Sequence, residues 1–374
     1  MIVERMDVLE MPLRFSRSFN ISRGRIGDVG SRAPHVLVKL FSSPGSGWGE
    51  CRPSHLWSYE TRETVLTTLD RYLRGCIEGE DPSDLESLHT RMDSVIAPGV
   101  TRGQPIAKSG IDIAAHDLFC RHRGISLSEH LGGGPEAEMP LSFIVSAGSA
   151  EEAAAQVRGA AEDGYSGFKI KIGHGVERDL RMIEACREEA ADAFLWADAN
   201  QAYGREDSIS LADKANRHDL DILEQPLIST DRHGLVELAE HSPVTVAIDE
   251  SVFTAEDLSD FISLGFRGAV VIKAAKSGGI HPARRMIELA RRSNLEILGS
   301  GLTESMVGFS ASLQLFCASG MRLPADLNGP QFLEDDVTSG PLVDRGVGRA
   351  TGPGLGVEVD QRGLSRPDLS LTAP

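Results

Sequence analysis

From Lys171 onward, a charged side chain closes one short apolar run after another. Lys171 ends FKIKIG, Asp198 sits in FLWADAN, Glu224 in DILEQP, Asp249 in VAIDES and Lys273 in VVIKAAK. The steps between them are 27, 26, 25 and 24 residues, enough for one strand and one helix each time. Candidate strands occupy 141–145, 168–172, 194–197, 221–223, 244–248, 269–272 and 296–298, with an eighth short strand at 322–325. Apolar residues at helical spacing fill 150–162, 176–190, 281–292 and 306–319. Such alternation dictates a parallel sheet. About eight units favour a sheet closed into a (β/α) barrel.

In a barrel the C-terminal ends of all strands face one mouth. The five charges therefore converge. Three carboxylates at close range repel unless a cation neutralises them. An all-oxygen set suits Mg²⁺ or Mn²⁺ rather than zinc. Lys171 falls on the second strand and Lys273 on the sixth, so they face each other across the ring. Lys169 shares the face of Lys171, because side chains alternate with period two. Crowding and burial are expected to pull a lysine down toward the range of a useful base. A metal ion and two opposed bases suit abstraction of a proton beside a carboxylate, with the resulting enediolate stabilised by the cation.

The first part of the chain has another texture. An apolar run at 36–41 precedes a glycine-rich turn at 42–49, which predicts a hairpin, and helical spacing follows at 60–74, 84–95 and 107–121. Leu131-Gly-Gly-Gly-Pro135 reads as a break. The tail from Gly329, rich in Gly, Pro and Asp, is expected to fold back over the first part.

Composition excludes several function classes. With 55 acidic and 38 basic residues the formal charge is −17, and no basic stripe offers itself to nucleic acid. No apolar run approaches the roughly 20 residues of a membrane span. The start MIVERMDVLEMPL lacks a signal-peptide block. Cys51, Cys76, Cys120, Cys186 and Cys317 are odd in number and scattered, neither a disulfide framework nor a zinc spacing. His116, His122 and His174 have no ligand-spaced partner. A cytoplasmic protein is expected.

Taken together, the motifs Lys169-Ile-Lys171, Asp198-Ala-Asn200, Glu224-Gln-Pro226, Asp249-Glu250-Ser251 and Lys273-Ala-Ala-Lys-Ser-Gly-Gly279 resemble the enolase superfamily, in its muconate-lactonizing enzyme subgroup within the mandelate racemase/muconate lactonizing enzyme family. Ala107-Lys-Ser-Gly-Ile-Asp112, Leu131-Gly-Gly133 and Gly352-Pro-Gly-Leu-Gly356 agree, and the resemblance runs from residue 1 to about 360. It implies an α/β protein: a modified (β/α)7β TIM-like barrel with an N-terminal α+β capping domain. Residues 1–130 would be the cap, completed by the C-terminal tail; 131–330 the barrel with its metal site; and 331–374 the tail returning to the cap. It implies Mg²⁺ (Mn²⁺ as substitute) on Asp198, Glu224 and Asp249. Lys171 and Lys273 would be the acid/base pair, assisted by Lys169, with Asn200 and Glu250 orienting the ligands. Relatives commonly form homo-oligomers, so one is expected here. No His–Asp pair replaces Lys273, which argues against the mandelate racemase subgroup.

The resemblance leaves the reaction open among cycloisomerases, o-succinylbenzoate synthases, N-acylamino acid racemases and dipeptide epimerases. The segment 300–308 resembles the strand-7 end of cycloisomerases and epimerases, which would put Glu304 in the substrate pocket; otherwise it is a carboxylate at a helix N-terminus. Asp326-Leu-Asn328 stands where dipeptide epimerases carry Asp-x-Asp for the substrate ammonium, and Asn328 lacks the second charge. The following 329–336 resembles cycloisomerases more closely. In the loops 19–30 and 52–59, Arg23, Arg25 and nearby Arg32 would hold the second carboxylate of a diacid or else be surface cations, and Trp57 would be a lid or core residue. The expectation is a Mg²⁺-dependent isomerase of a small carboxylate, muconate cycloisomerase-like. The alternatives are a racemase/epimerase of N-acylamino acids or dipeptides, or an o-succinylbenzoate-synthase-type dehydratase.

Overall fold

Met6 and Val8 are buried on one face of Arg5–Phe15 (β1) and Met11, Leu13 and Phe15 on the other, so this strand packs against two separate clusters of the core. The computed structural model describes residues 1–43, 45–99, 102–335 and 337–367. Pro44 in the glycine-rich turn, Asp336 at the end of the cycloisomerase-like segment and the tail residues 368–374 lie outside the described residues. After β1 comes a small hairpin, Phe19–Ile21 (β2) with Gly24–Gly27 (β3). Arg32–Ser42 (β4) then pairs antiparallel with β1 and with Gly45–Cys51 (β5), the hairpin foreseen at the glycine-rich turn. The helix Pro105–Arg123 lies directly on this sheet. A Cβ at Gly49 would meet the carbonyl oxygen of Gly110 at 1.9 Å, so two glycines let strand and helix backbones touch.

Ala137–Pro140 (β6) leads into seven parallel strands in one sheet. They are Ser142–Val145 (β7), Gly167–Lys171 (β8), Phe194–Asp198 (β9), Ile222–Glu224 (β10), Thr245–Ile248 (β11), Ala269–Ile272 (β12) and Glu296–Gly299 (β13). Each lies next to its successor, as short right-handed crossovers require. Two parallel bridges, Leu141 with Ala325 and Ser300 with Asp326, close the ring. Ser142 N donates to Ala325 O at 2.8 Å and Asp326 N to Gly299 O at 2.9 Å. The closing segment is thus 325–326, not 322–325. Pro324 has no N–H to give to a ladder, so pairing starts after it. Inside the ring Trp196, Ile222, Ala247, Ala269, Val271 and Leu298 form an apolar plug. Asp198, Glu224, Asp249 and Lys273 each lie two residues beyond a plug residue, and Lys171 two beyond buried Lys169, so each stands on the inner face one layer higher.

The tail divides its contacts. Leu333–Glu334 (β14) adds to β1, Ser365 bridges Glu10, and Lys39 Nζ donates to Gln361 Oε1 at 3.1 Å. Between them, Val347–Ala350 pairs antiparallel with β6 instead of with the cap. Buried Ala137 and Met139 alternate along β6 and find their partner strand there, so the tail is shared between the cap sheet and β6.

Two buried cap acids reach across to the barrel. Asp112 Oδ1 accepts Ile280 N at 2.5 Å, at the start of the helix Ile280–Arg292, which has no side-chain cap of its own. Glu50 accepts Ser305 N, Ser305 Oγ and Gly308 N at 2.9, 2.6 and 2.8 Å, at the start of Met306–Ala318.

Candidate active site

Strand geometry gathers the charges at one mouth. Lys171, Asp198 and Glu224 are the last residues of β8, β9 and β10, while Asp249 and Lys273 directly follow β11 and β12. All are buried. Lys169 and Lys171 reach the same oxygen, Asp198 Oδ2, at 3.2 and 2.6 Å. Lys169 Nζ also touches Glu224 and Asp326, each at 2.9 Å, and sits 4.1 Å from the Trp196 ring centre. Lys273 Nζ meets Asp249 Oδ2 at 2.6 Å. Lys276 takes the other oxygen of that carboxylate at 2.6 Å and its backbone carbonyl at 2.8 Å. Asn200 Nδ2 donates to Glu250 Oε1 at 3.1 Å. The loops holding these groups are strained: Asn200, Gln201, Gln225 and Thr303 have φ of 43, 70, 38 and 66°, unusual for residues other than glycine.

Ionisation is uneven. Burial works against charge at Asp198, but Lys171 and Lys169 hold it down to about 2. Asp249 is also held low, against burial, by Lys273 and Lys276. Glu224 is pushed well up by burial and by the field of Asp198. Glu250 rises to about 7 through burial and its neighbours Asp249 and Asp198. At Lys169 burial lowers the ammonium, yet the carboxylates of Asp326, Glu224 and Asp198 outweigh it and raise the group. Lys273 is raised in the same way by Asp249, whereas burial wins at Lys276 and lowers it. The downward shift expected for the lysines is therefore reversed at Lys169 and Lys273, because carboxylates rather than a cation face them.

The residues fit a divalent cation in charge and in donors. Glu224 and Glu250 are held toward their neutral forms by burial and by the carboxylates beside them, a repulsion that a cation would offset. Asn200 Oδ1 and Glu250 Oε2 are buried without a hydrogen-bond partner among the described residues. Glu224 Oε2 lies 2.9 Å from Lys169 Nζ but out of line for a hydrogen bond. Among the described residues no three His, Cys, Asp or Glu side chains close up as a ready ligand set. Lysine ammoniums face the carboxylates, and holding a metal requires those heads to turn aside.

A chamber of about 40 Å³ opens above this cluster. Lys171, Lys273, Asn200, Asp326 and Asn328 line its polar side, and Phe19, Ile21, Ile26, Trp57 and Leu302 its apolar side. The cap covers each lysine with an aromatic ring: Phe19 lies 5.7 Å from Lys171 Nζ and Trp57 4.3 Å from Lys273 Nζ. The hairpin is pinned to the barrel by Ser22 Oγ donating to Asn200 O at 3.1 Å and to the start of the tail by Phe19 stacking on Phe332 at 4.5 Å. Asp326 accepts from Ser300 Oγ and from Asn328 Nδ2, both at 3.0 Å. Glu304 is not in the lining. Its carboxylate turns back to accept Leu302 N at 2.7 Å. Arg23, Arg25 and Arg32 are exposed, Arg25 paired with Asp28, and none lines the chamber. A much larger cavity, about 890 Å³, lies elsewhere, beside His89, Arg102 and His281. Sequence reasoning passed over Lys276 and Gln225. Gln225 Oε1 accepts Asp249 N at 2.9 Å and so fixes that strand end.

A barrel mouth with lysines opposed across a carboxylate cluster is a centre built for moving protons. Residues 12–132 match the family described as mandelate racemase / muconate lactonizing enzyme, N-terminal domain, and residues 152–363 match the enolase C-terminal domain-like family. The chain belongs to the mandelate racemase/muconate lactonizing enzyme family of the enolase superfamily. It is similar to an N-succinyl-L-Arg/Lys racemase of Bacillus cereus, 28% identical over 94% of each chain. Muconate cycloisomerase 1 of Pseudomonas putida is 26% identical over 88% of this chain and 89% of its own. The solved dipeptide epimerase of Enterococcus faecalis, complexed with Mg and the dipeptide L-Leu-L-Tyr, superposes with a TM-score of 0.88 at 26% identity, over 96% of this chain and all of that one. The chain is accordingly an enolase-superfamily isomerase. Among the described residues no helix is long and apolar enough to cross a membrane.

Proposed function

We propose that the chain is a Mg²⁺-dependent racemase or epimerase of N-acylated amino acids or small dipeptides with uncharged side groups. One observation carries this reading: Lys171 and Lys273 enter one chamber from opposed strands, each under its own aromatic cover. A 1,1-proton transfer needs a base on one face of the carbon and an acid on the other. One lysine removes the proton beside the substrate carboxylate and the other returns a proton to the opposite face. The Lys169 ammonium, held by Asp326 when Asp198 and Glu224 take the cation, adds positive charge beneath the substrate carboxylate. Asp198, Glu224 and Asp249 would hold the divalent cation, with Asn200 and Glu250 orienting them. When bound, that cation supplies Lewis-acid stabilisation of the enediolate.

The sequence leaned toward a cycloisomerase. The solvent-facing Arg23, Arg25 and Arg32 remove the cations that would have met a diacid's second carboxylate, and apolar Phe19, Ile21, Ile26 and Leu302 stand in the chamber instead. The cycloisomerase remains the second reading on one observation: Asn328 offers the chamber no second charge for a free ammonium. A chamber of 40 Å³ is far below the roughly 300 Å³ of ordinary ligand sites, so admitting substrate requires the cap elements over it, the β2–β3 hairpin or the turn bearing Trp57, to move.

In this reading residues 1–130 with part of the tail are the cap, 131–330 the barrel carrying the site, and 331–374 the tail. Homo-oligomeric assembly belongs to the same proposal and is checked by analytical ultracentrifugation. The activity test is incubation in D₂O with Mg²⁺ and a pool of N-acylamino acids, dipeptides and muconates. We expect deuterium at the α-carbon of both epimers of one pool member, and its interconversion to fall by about 10²-fold or more in Lys171→Ala and in Lys273→Ala. Lactone formed from a muconate, with no epimer exchange, would replace this reading by the cycloisomerase.

A further inference from the structure

Arg52 follows the last strand of the cap sheet and is 2% exposed. A buried guanidinium is normally matched by a carboxylate at contact distance. Here its polar contacts go to backbone carbonyls: Nε donates to Thr303 O at 3.3 Å, and Nη1 to Pro53 O at 2.6 Å and Pro34 O at 3.3 Å. Glu50 and Glu304 act on it only at longer range. Thr303 holds φ at 66°, a left-handed conformation that a β-branched residue rarely adopts, so something outside the loop must hold it. His35 Nε2 also lies 3.2 Å from the same carbonyl. Gly301, Leu302 and Thr303 line the chamber beside Lys273.

We propose that Arg52 is a positioning residue: its forked guanidinium, anchored on Pro34 and Pro53, fixes the Thr303 carbonyl and thereby the shape of the substrate-facing wall 301–303. The inference rests on the chamber being the substrate site. A lysine keeps the charge, but a single ammonium cannot span the same carbonyls in a fixed plane.

The test uses the full chain with Arg52→Lys and Arg52→Met. Amide hydrogen exchange is read by mass spectrometry on peptides covering 299–305 and on peptides of β4 and β5. Steady-state epimerisation is read with whichever N-acylamino acid or dipeptide of the pool the wild type turns over. In Arg52→Lys we expect faster exchange at 299–305 with β4 and β5 still protected, and KM raised by on the order of 10-fold with kcat changed far less. If Arg52→Met does not fold, the Lys variant decides. Unaltered exchange at 299–305 overturns the proposal. So does a lower active fraction at unchanged KM, which would mark Arg52 as merely structural. If the wild type turns over no pool member, the functional reading has failed, and hydrogen exchange alone decides for or against Arg52.

Discussion

Replacing Glu50 by Ala should destabilise the protein by an amount that depends strongly on pH. Ser305 N, Gly308 N and Ser305 Oγ converge on this one carboxyl at 2.9, 2.8 and 2.6 Å. Each buried donor left without a partner costs about 1–3 kcal/mol, so the loss is roughly 4 kcal/mol once the hydroxyl turns elsewhere. Against that stands the burden of burying a carboxyl, whose folded pKa rises from 4.5 to about 7, chiefly through burial. A carboxyl raised in this way favours the folded state fully below its unfolded pKa, and that contribution is lost as pH climbs through the folded value. From 4.5 to about 7 the wild type forgoes roughly 3 kcal/mol from this group, and the alanine variant forgoes nothing. The variant should therefore fall short of the wild type by roughly 3 kcal/mol near pH 5 and by only about 1 near pH 8. Urea unfolding at both pH values, followed by near-ultraviolet circular dichroism, measures the difference. A deficit equal at both pH values would refute the reasoning, because it would mean that Glu50 enters the fold with an ordinary carboxylate pKa.

Three further outcomes are expected. Chelation should abolish turnover, and Mg²⁺ or Mn²⁺ should restore it; full activity in excess chelator, with no metal found by elemental analysis, would remove the cation from the chemistry. Gly49→Ala forces a Cβ to within 1.9 Å of Gly110 O and should cost more than about 3 kcal/mol or prevent soluble expression, as read by thermal melting. Phe19→Ala removes both the cover over Lys171 and the stack on Phe332, so KM should rise by about 10-fold or more with the fold retained; an unchanged KM would show that the hairpin does not touch substrate.

The barrel was legible because its rule is local. Strand side chains alternate, so Trp196 and Asp198, or Val271 and Lys273, had to share a face, and the repeat of one strand and one helix placed that face at one mouth. The closing strand was not legible, since only Ala325 and Asp326 pair and a proline precedes them. Lys276 carries a readable signal: it lies three residues after Lys273 in a single helical turn, which returns its ammonium to Asp249. Glu304 looked like a pocket residue because nothing in its neighbourhood foretells a carboxylate folding back onto an amide two residues earlier. The helix caps were beyond reach for another reason. Glu50 and Ser305 are 255 residues apart, and Asp112 and Ile280 are 168 apart, and no periodicity links such positions.

Those long-range caps have a consequence for recombination. Two of the barrel's helices begin on acids that belong to the other domain, Asp112 for Ile280–Arg292 and Glu50 for Met306–Ala318. Met306–Ala318 follows the chamber-lining residues 301–303, and Ile280–Arg292 follows the helical turn Ala274–Ser277 that begins at Lys273, so the same contacts that cap these helices also tie the cap to the barrel near its mouth. A cap grafted from a relative, to import a new specificity, would have to bring a carboxylate to both places. Without them the chimera leaves amide donors unpaired at the start of both helices, one of them next to the wall at 301–303. The exchangeable part of this architecture is therefore smaller than a domain: it is the β2–β3 hairpin and the turn bearing Trp57.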